Sequence, residues 1–342
     1  MESIIGGEFE FLDNVTSTHC MELTDEYIMF SSGRAALYQL LKYAIQNGNA
    51  DCVYLPDYIC DSVFHVCDNL HLPYKFYSLT DNLQVDISSL RSIYLGGAIL
   101  VVDYFGVTDC EETIKKIKAE MPESFVLLDI VQAPFLITKP TNADVSFTSL
   151  RKALPVPDGG LVHLKGQKLQ GCIAPSRFAQ YKIAASYLKN LRSCGYYEDD
   201  IYLDLYHKGE ETIDDDYDKA PSAYTQKVYG SLDTNRISIL RKRNASVIIN
   251  GLNDLGLKPC VDIKENYIPL FVPIILENRD KVRKAMFANK IFLPVHWPVV
   301  EHQSELRRGA YMAHHELSII IDHRYSVKDM ERILDVLEKS LA

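Results

Sequence analysis

The chain has 342 residues, 47% hydrophobic and 24% charged, with a formal net charge of -10 at pH 7. That length exceeds one ordinary domain and predicts a large folded unit beside a smaller one, while the composition excludes a mainly disordered chain. The negative balance argues against nucleic acid as the principal partner, which would call for a basic face.

Met1 to Glu10 lacks the charged start and apolar core of a signal peptide. No run reaches the ~18 apolar residues of a membrane span, so the chain is expected in the cytoplasm. Eight cysteines (Cys20, Cys52, Cys60, Cys67, Cys110, Cys172, Cys194 and Cys260) are scattered without a C-x-x-C pair. Buried, reduced thiols are therefore expected, with no disulfide frame and no metal site.

Residues 1 to 27 are polar and irregular and predict an N-terminal arm with little structure of its own. Ser31-Ser32-Gly33-Arg34 opens a helix over about 33 to 46, whose apolar residues Ala36, Leu37, Leu40, Leu41, Ala44 and Ile45 recur at helical spacing. A small, glycine-containing helix start is an anion site, because its free N–H groups and its dipole face the same way. Cys52 to Leu55 reads as a short strand ended by Pro56-Asp57, followed by a helix at about 60 to 70 and a strand in Tyr74 to Tyr77. Ile99 to Val102, a helix through Glu111 to Glu120, and the run Phe125 to Leu128 continue the alternation. That last strand ends in Asp129, with Gln132 three residues on; ligands of open α/β sheets bind at this edge.

Residues 143 to 164, ADVSFTSLRKALPVPDGGLVHL, read as strand, sharp turn, strand, and place Lys152 in a constrained bend. A lysine amine attacks a carbonyl only when deprotonated, and partial burial beside other cations favours that state. A helical stretch follows at about 174 to 193. The acid-rich stretch 198 to 218 reads as a solvated loop or linker, and a long helical pattern covers about 224 to 254. The remainder alternates again: a strand in Leu270 to Leu276, a helix at about 278 to 288, a strand in Leu317 to Ile321 and a closing helix from Val327 to Leu341. The fold class is therefore α/β: a large three-layer domain with a mainly parallel sheet, plus a smaller C-terminal α/β domain. The boundary is drawn between 1–235, arm and large domain, and 236–342, with a cleft between the two.

A phosphate cradle, a carboxylate and a lysine, in that order, are the parts that pyridoxal phosphate needs: an anion site, a partner for the pyridine nitrogen and a Schiff-base amine. The segments SSGRAAL (31 to 37), VYLPDYICDSV (53 to 63), VVDYFGV (101 to 107), VLLDIVQAP (126 to 134), SLRKALPVPDGG (149 to 160) and LSIIIDHRYSVKDMERI (317 to 333) carry a resemblance. In that order they resemble the DegT-type nucleotide-sugar aminotransferases, which are fold type I pyridoxal phosphate enzymes.

The resemblance implies Lys152 as the Schiff-base lysine and proton carrier, Asp129 on the pyridine N–H, Gln132 near the ring's 3-oxygen, and Ser32, Gly33 and Arg34 at the phosphate. Ser149, three residues before Lys152, stands where its hydroxyl either reaches the phosphate or caps its own turn. The family usually has threonine at Arg34, and an aromatic residue stacked on the ring where this chain has Cys60; Tyr58 either takes over that stacking or packs in the core. His296 and Trp297 sit where the family's small domain approaches the substrate, and Trp297 either stacks on a sugar or base or belongs to the core. A Gly-x-Asn-Tyr-Arg segment, whose asparagine reaches a neighbouring subunit's phosphate, is not recognisable between 165 and 235; Tyr224, Lys227 or Ser231 are the available substitutes. The implied activity is transfer of an amino group, from glutamate, to a nucleotide-linked keto-sugar in surface polysaccharide synthesis, by a homodimer. A dehydratase or lyase on a similar sugar, or a non-catalytic interaction protein on this scaffold, are the alternatives.

Overall fold

The structure is a computed structural model that describes residues 4–10, 26–164, 169–196, 200–297 and 307–341. The chain begins with a two-residue strand, β1 (Ile5–Gly6), then β2 (Tyr27–Phe30), α1 (Gly33–Gln46), β3 (Val53–Pro56), α2 (Ser62–Asn69), β4 (Tyr74–Tyr77) and α3 (Ile87–Ile93). It continues through β5 (Ala98–Val102), α4 (Cys110–Glu120), β6 (Phe125–Asp129), β7 (Val145–Ser149), a 3-10 turn at Leu150–Lys152 and β8 (Gly160–Leu164).

Strands β2 to β8 form a seven-stranded sheet in the order β2-β8-β7-β6-β5-β3-β4. The pairs from β7 through β6, β5 and β3 to β4 are parallel, and β8 runs antiparallel to both β7 and β2. Every residue of β3, β5, β6 and β7 is buried. Helices must therefore cover both faces, which is why these strands read as continuous apolar runs rather than alternating ones.

Four helices follow: α5 (Phe178–Ser193), α6 (Ile201–Thr212), α7 (Ala223–Ser231) and α8 (Thr234–Asp254). The last elements are β9 (Phe271–Ile275), α9 (Arg279–Ala288), β10 (Ile291–Phe292), α10 (Arg307–His315), β11 (Glu316–Ile320) and α11 (Val327–Leu341). Strands β9 and β11 pair antiparallel, and β1 pairs parallel with β10. A second buried apolar cluster gathers here, with Ile248 and Leu252 of α8, Val272 and Ile274 of β9, Leu317 and Ile319 of β11 and Ile333 and Leu337 of α11. Among the described residues, no helix is long and apolar enough to cross a membrane.

Three expectations change. Residues 1–3 and 11–25 of the arm lie outside the described residues, but the described part is not without structure: Ile5 is fully buried in the second cluster through β1, and Tyr27 opens β2 at the edge of the large sheet. Cys20 lies outside the described residues, and the seven described cysteines are all unpaired, from buried Cys67 and Cys110 to exposed Cys194. The acid-rich stretch is largely helical, because Tyr202, Tyr206 and Gly209 recur every three or four residues and Tyr202 and Tyr206 pack on Ala185 of α5, while Asp204 and Glu211 take the outer face. Its residues 198 and 199 lie outside the described set. The long pattern at 224 to 254 breaks at Leu232–Asp233, where Asp233 caps α8 by accepting from Arg236 N–H.

Candidate active site

At the C-terminal edge of the parallel strands lies a cavity of about 530 Å³, lined by residues of the large sheet, of α8, of the β9–β11 unit and of the N-terminal segment. Its floor follows from close backbone approach. Gly160 opens β8 so near the start of α1 that a Cβ there would lie 2.0 Å from the Ser32 carbonyl oxygen. A Cβ on Gly33 would likewise meet Ser149 Cβ at 2.9 Å. Gly159, at φ +104°, donates its N–H to Ser31 O at 2.7 Å and accepts from Leu150 N at 2.9 Å. Three glycines thus press the open end of α1, the end of β7 and the Lys152 turn against one another.

Ser32 caps α1, its Oγ accepting from Ala35 N–H at 3.0 Å. The N–H groups at the helix start and Ser149 therefore line the same end of the cavity as Lys152. Lys152 is surrounded by protein yet retains accessible surface, because its side chain stands in the cavity. Desolvation and the adjoining Arg151 guanidinium hold its ammonium below the usual lysine range. No acid among the described residues is within ion-pair distance of its Nζ.

Asp129 ends β6 and lines the same cavity. Burial pushes its carboxyl up to about 7, opposed only by the Val131 N–H that it accepts at 2.8 Å. This buried acid has no cation paired with it among the described residues. Gln132 accepts the Phe105 N–H at 2.6 Å through Oε1, so what its amide offers the cavity is a donor.

Two of the candidate residues already have partners within the protein. Arg34 lines the cavity, but its guanidinium pairs with Asp214, Nη1 lying 2.9 and 3.0 Å from the two carboxylate oxygens. Tyr58 does not line the cavity: its hydroxyl donates to the His296 carbonyl and its ring packs on Tyr104 at 5.5 Å and Trp297 at 4.9 Å. Ring stacking is thus not open to Tyr58, because an aromatic cluster already holds it. Cys60 lines the cavity, and burial keeps its thiol protonated by raising its pKa. His296 and Trp297 both line it, and Trp297 also packs against the large core. Tyr224, Lys227 and Ser231 stand on α7 and are not part of this lining.

The sequence reading missed an ionic cluster in the lining of the cavity. Arg151 Nη1 lies 2.9 Å from Glu210 Oε1, and fully buried Lys182 bonds Glu210 at 2.6 Å and Glu8 at 2.5 Å. Burial works against ionisation of Glu210, yet Arg151 and Lys182 hold its carboxyl well below the usual range. Arg151 was visible as the neighbour of Lys152. Glu210 was hidden in an acid run, and Glu8 in the arm.

No family model matches the chain, and no curated protein matches it. Solved structures do. Spr1654 of Streptococcus pneumoniae, described as a sugar aminotransferase, is 12% identical with a TM-score of 0.68, covering 99% of this chain and 98% of that one. DesV of S. venezuelae is 16% identical, TM-score 0.65, covering 92% and 84%. A DegT DnrJ EryC1 StrS aminotransferase from Brucella abortus is 15% identical, TM-score 0.60, covering 92% and 85%. At these identities the likeness is one of fold: the chain has the fold type I architecture, a large mostly parallel sheet with its helices and a further α/β layer.

Proposed function

We propose that the chain is a pyridoxal-phosphate-dependent aminotransferase that moves an amino group from glutamate to a nucleotide-linked keto-sugar. One observation carries the reading: a buried carboxyl, Asp129, and a cavity-facing lysine, Lys152, neither with an oppositely charged partner among the described residues, line one cavity beside the open end of α1. The residues fit the cofactor, since an acid raised by burial is relieved by a ring N–H opposite it. When bound, pyridoxal phosphate supplies the electron sink.

The chain's own groups do the rest. Asp129 would hold the ring nitrogen, the α1 N–H groups and Ser149 the phosphate, and Gln132 would donate to the ring's oxygen. Lys152 would bind the cofactor covalently and, once displaced by substrate, move the proton at the substrate carbon. Desolvation first, and the Arg151 guanidinium second, favour the uncharged form of that amine. Solved structures of like fold, described as sugar aminotransferases, support a sugar as acceptor, and the second apolar cluster, drawn from Ala245 to Leu337 apart from Ile5, supports a division near residue 235 with the substrate between the units. A homodimer is part of the proposal.

The test is spectroscopic. Purified protein titrated with pyridoxal phosphate should develop the visible absorbance of a lysine-bound cofactor, absent in Lys152→Ala, and L-glutamate should convert it to the aminated form. A protein that stays colourless, or one whose cofactor ignores every amine, refutes the reading; cofactor binding with loss of a sugar hydroxyl instead of amine transfer would mark a dehydratase.

A further inference from the structure

Three side chains of the small unit form a buried chain that ends at the cavity. His296 lines the cavity, and its Nδ1 lies 2.9 Å from Ser318 Oγ. Ser318 Oγ lies in turn 2.5 Å from Glu316 Oε1. The other carboxyl oxygen of Glu316 accepts the His296 backbone N–H at 3.0 Å, fixing acid and imidazole to each other twice. Glu316 and Ser318 are two apart on β11, so they share a face, and both are fully buried.

Among the described residues the carboxyl has no cation paired with it. Arg279 is the cation that bears on it, but its Nη1 donates to the Glu316 main-chain carbonyl at 3.0 Å, and its Nε pairs with Asp280. Tyr58 and Cys260 are the other titratable groups that feel Glu316, and Lys152 is the one that faces His296. The ring of His296 is held by Phe271 at 5.0 Å and Phe105 at 6.0 Å.

We propose that Glu316, Ser318 and His296 are a proton relay that serves the oxygen exchanged as water during amino transfer, with His296 as a catalytic residue and the other two as positioning residues. The proposal rests on the aminotransferase reading. A chain of this kind has two states that need no side-chain movement. With the proton on Glu316, the carboxyl donates to Ser318 Oγ, Oγ donates to Nδ1, and the proton of the imidazole sits on Nε2. With Glu316 ionised, both side-chain bonds reverse, Ser318 Oγ donating to the carboxylate and Nδ1 to Oγ, and Nε2 is a bare acceptor.

Burial pushes the Glu316 carboxyl up to about 8, and burial with Lys152 pushes His296 down to about 3. The charged state at neutral pH is therefore neither, and the resting chain carries its proton on the acid. When the acceptor's carbon–oxygen bond breaks, the oxygen keeps the electron pair, takes the Nε2 proton and leaves as water. Nδ1 is reprotonated from Ser318 and Ser318 from Glu316, which ends as carboxylate, while the positive charge stays on the nitrogen that replaces the oxygen. In the other half-reaction water enters, and the proton it releases returns along the same path.

Infrared difference spectra of the protein at neutral pH should show a carboxylic C=O stretch that vanishes in Glu316→Gln. Half-reaction rates with L-glutamate, followed by cofactor absorbance, should fall about 100-fold in both Glu316→Gln and Ser318→Ala. Ser318→Thr, which keeps the hydroxyl, should recover most of the loss, and glutamate affinity should be unchanged throughout. An ionised Glu316 in the infrared, or a wild-type rate in Glu316→Gln, overturns the relay alone. A wild-type protein whose bound cofactor does not respond to amines overturns the aminotransferase reading, and this role falls with it.

Discussion

At the scale of single residues, the site depends on groups held in protonation states that water would not give them. Asp129→Asn keeps the shape of the β6 end but removes the acid that would hold a ring N–H. Cofactor should still bind through Lys152, and turnover should drop at least about 100-fold, measured as kcat with affinity for the donor little changed. Glu210 makes a different kind of prediction. Its carboxylate neutralises Arg151 and fully buried Lys182 together, and only Glu8 would remain to them in Glu210→Gln. Half-exposed as Glu210 is, the loss in unfolding free energy should be about 1–2 kcal/mol, read by denaturant titration. The same variant frees Arg151 and should shift the cofactor absorbance of the Lys152 form with pH. Asp129 could be read in the sequence because it ends an apolar strand, and Lys152 because it stands in a sharp bend between two strands. Glu210 and Glu8 could not, since a carboxylate's partners lie 28 to 174 residues away and nothing local marks them.

At the scale of elements, the strand and helix order from about residue 33 to 164, with α3 missed, was legible because β3, β5, β6 and β7 are buried on both faces and bounded by turn residues. The register of α1 against β8 was not, although its signature was present as paired glycines at Gly159 and Gly160. Gly160→Ala would drive a methyl into the Ser32 carbonyl 2.0 Å away, and that atom is backbone, which cannot step aside. The expected loss is about 3 kcal/mol of stability or more. It should come with a weakened cofactor titration, because the same displacement moves the α1 N–H groups away from Lys152. An equal loss of stability with unaltered cofactor affinity would show that the glycine serves packing only. Helix α6 was misread for the opposite reason: four acids in six residues near its end outweighed Tyr202 and Tyr206, whose contact with α5 is tertiary and leaves no local trace.

At the scale of the whole molecule, the buried acids set a pH dependence. Burial raises Asp103 and Asp129 to about 7 and Glu316 to about 8. A carboxyl raised above its unfolded value stabilises the fold fully below about pH 4, and that contribution is lost as pH rises through the folded value. Asp322, lowered to about 2 against burial by Arg324, works the other way, and its contribution is complete by pH 4. His296 and His323, both held near 3, favour the fold increasingly up to about pH 6.5 and add nothing further above it. Between pH 6.5 and 8.5 the raised acids therefore weaken the fold. The lysines depressed by burial titrate as well, so the clean measurement is a difference between variants: Asp129→Asn should gain on the wild type as pH rises from about 4 to about 7, by at most about 4 kcal/mol, and level off above that. Pyridoxal phosphate should reverse that order. A cationic ring nitrogen opposite Asp129 allows the carboxylate to ionise in place, so added cofactor should raise the wild-type Tm more than the variant's, and the gap should widen from pH 6.5 to 8.5. Equal stabilisation of both proteins at every pH would mean that Asp129 never meets the ring nitrogen, and the arrangement of the cofactor in this cavity would have to be turned around.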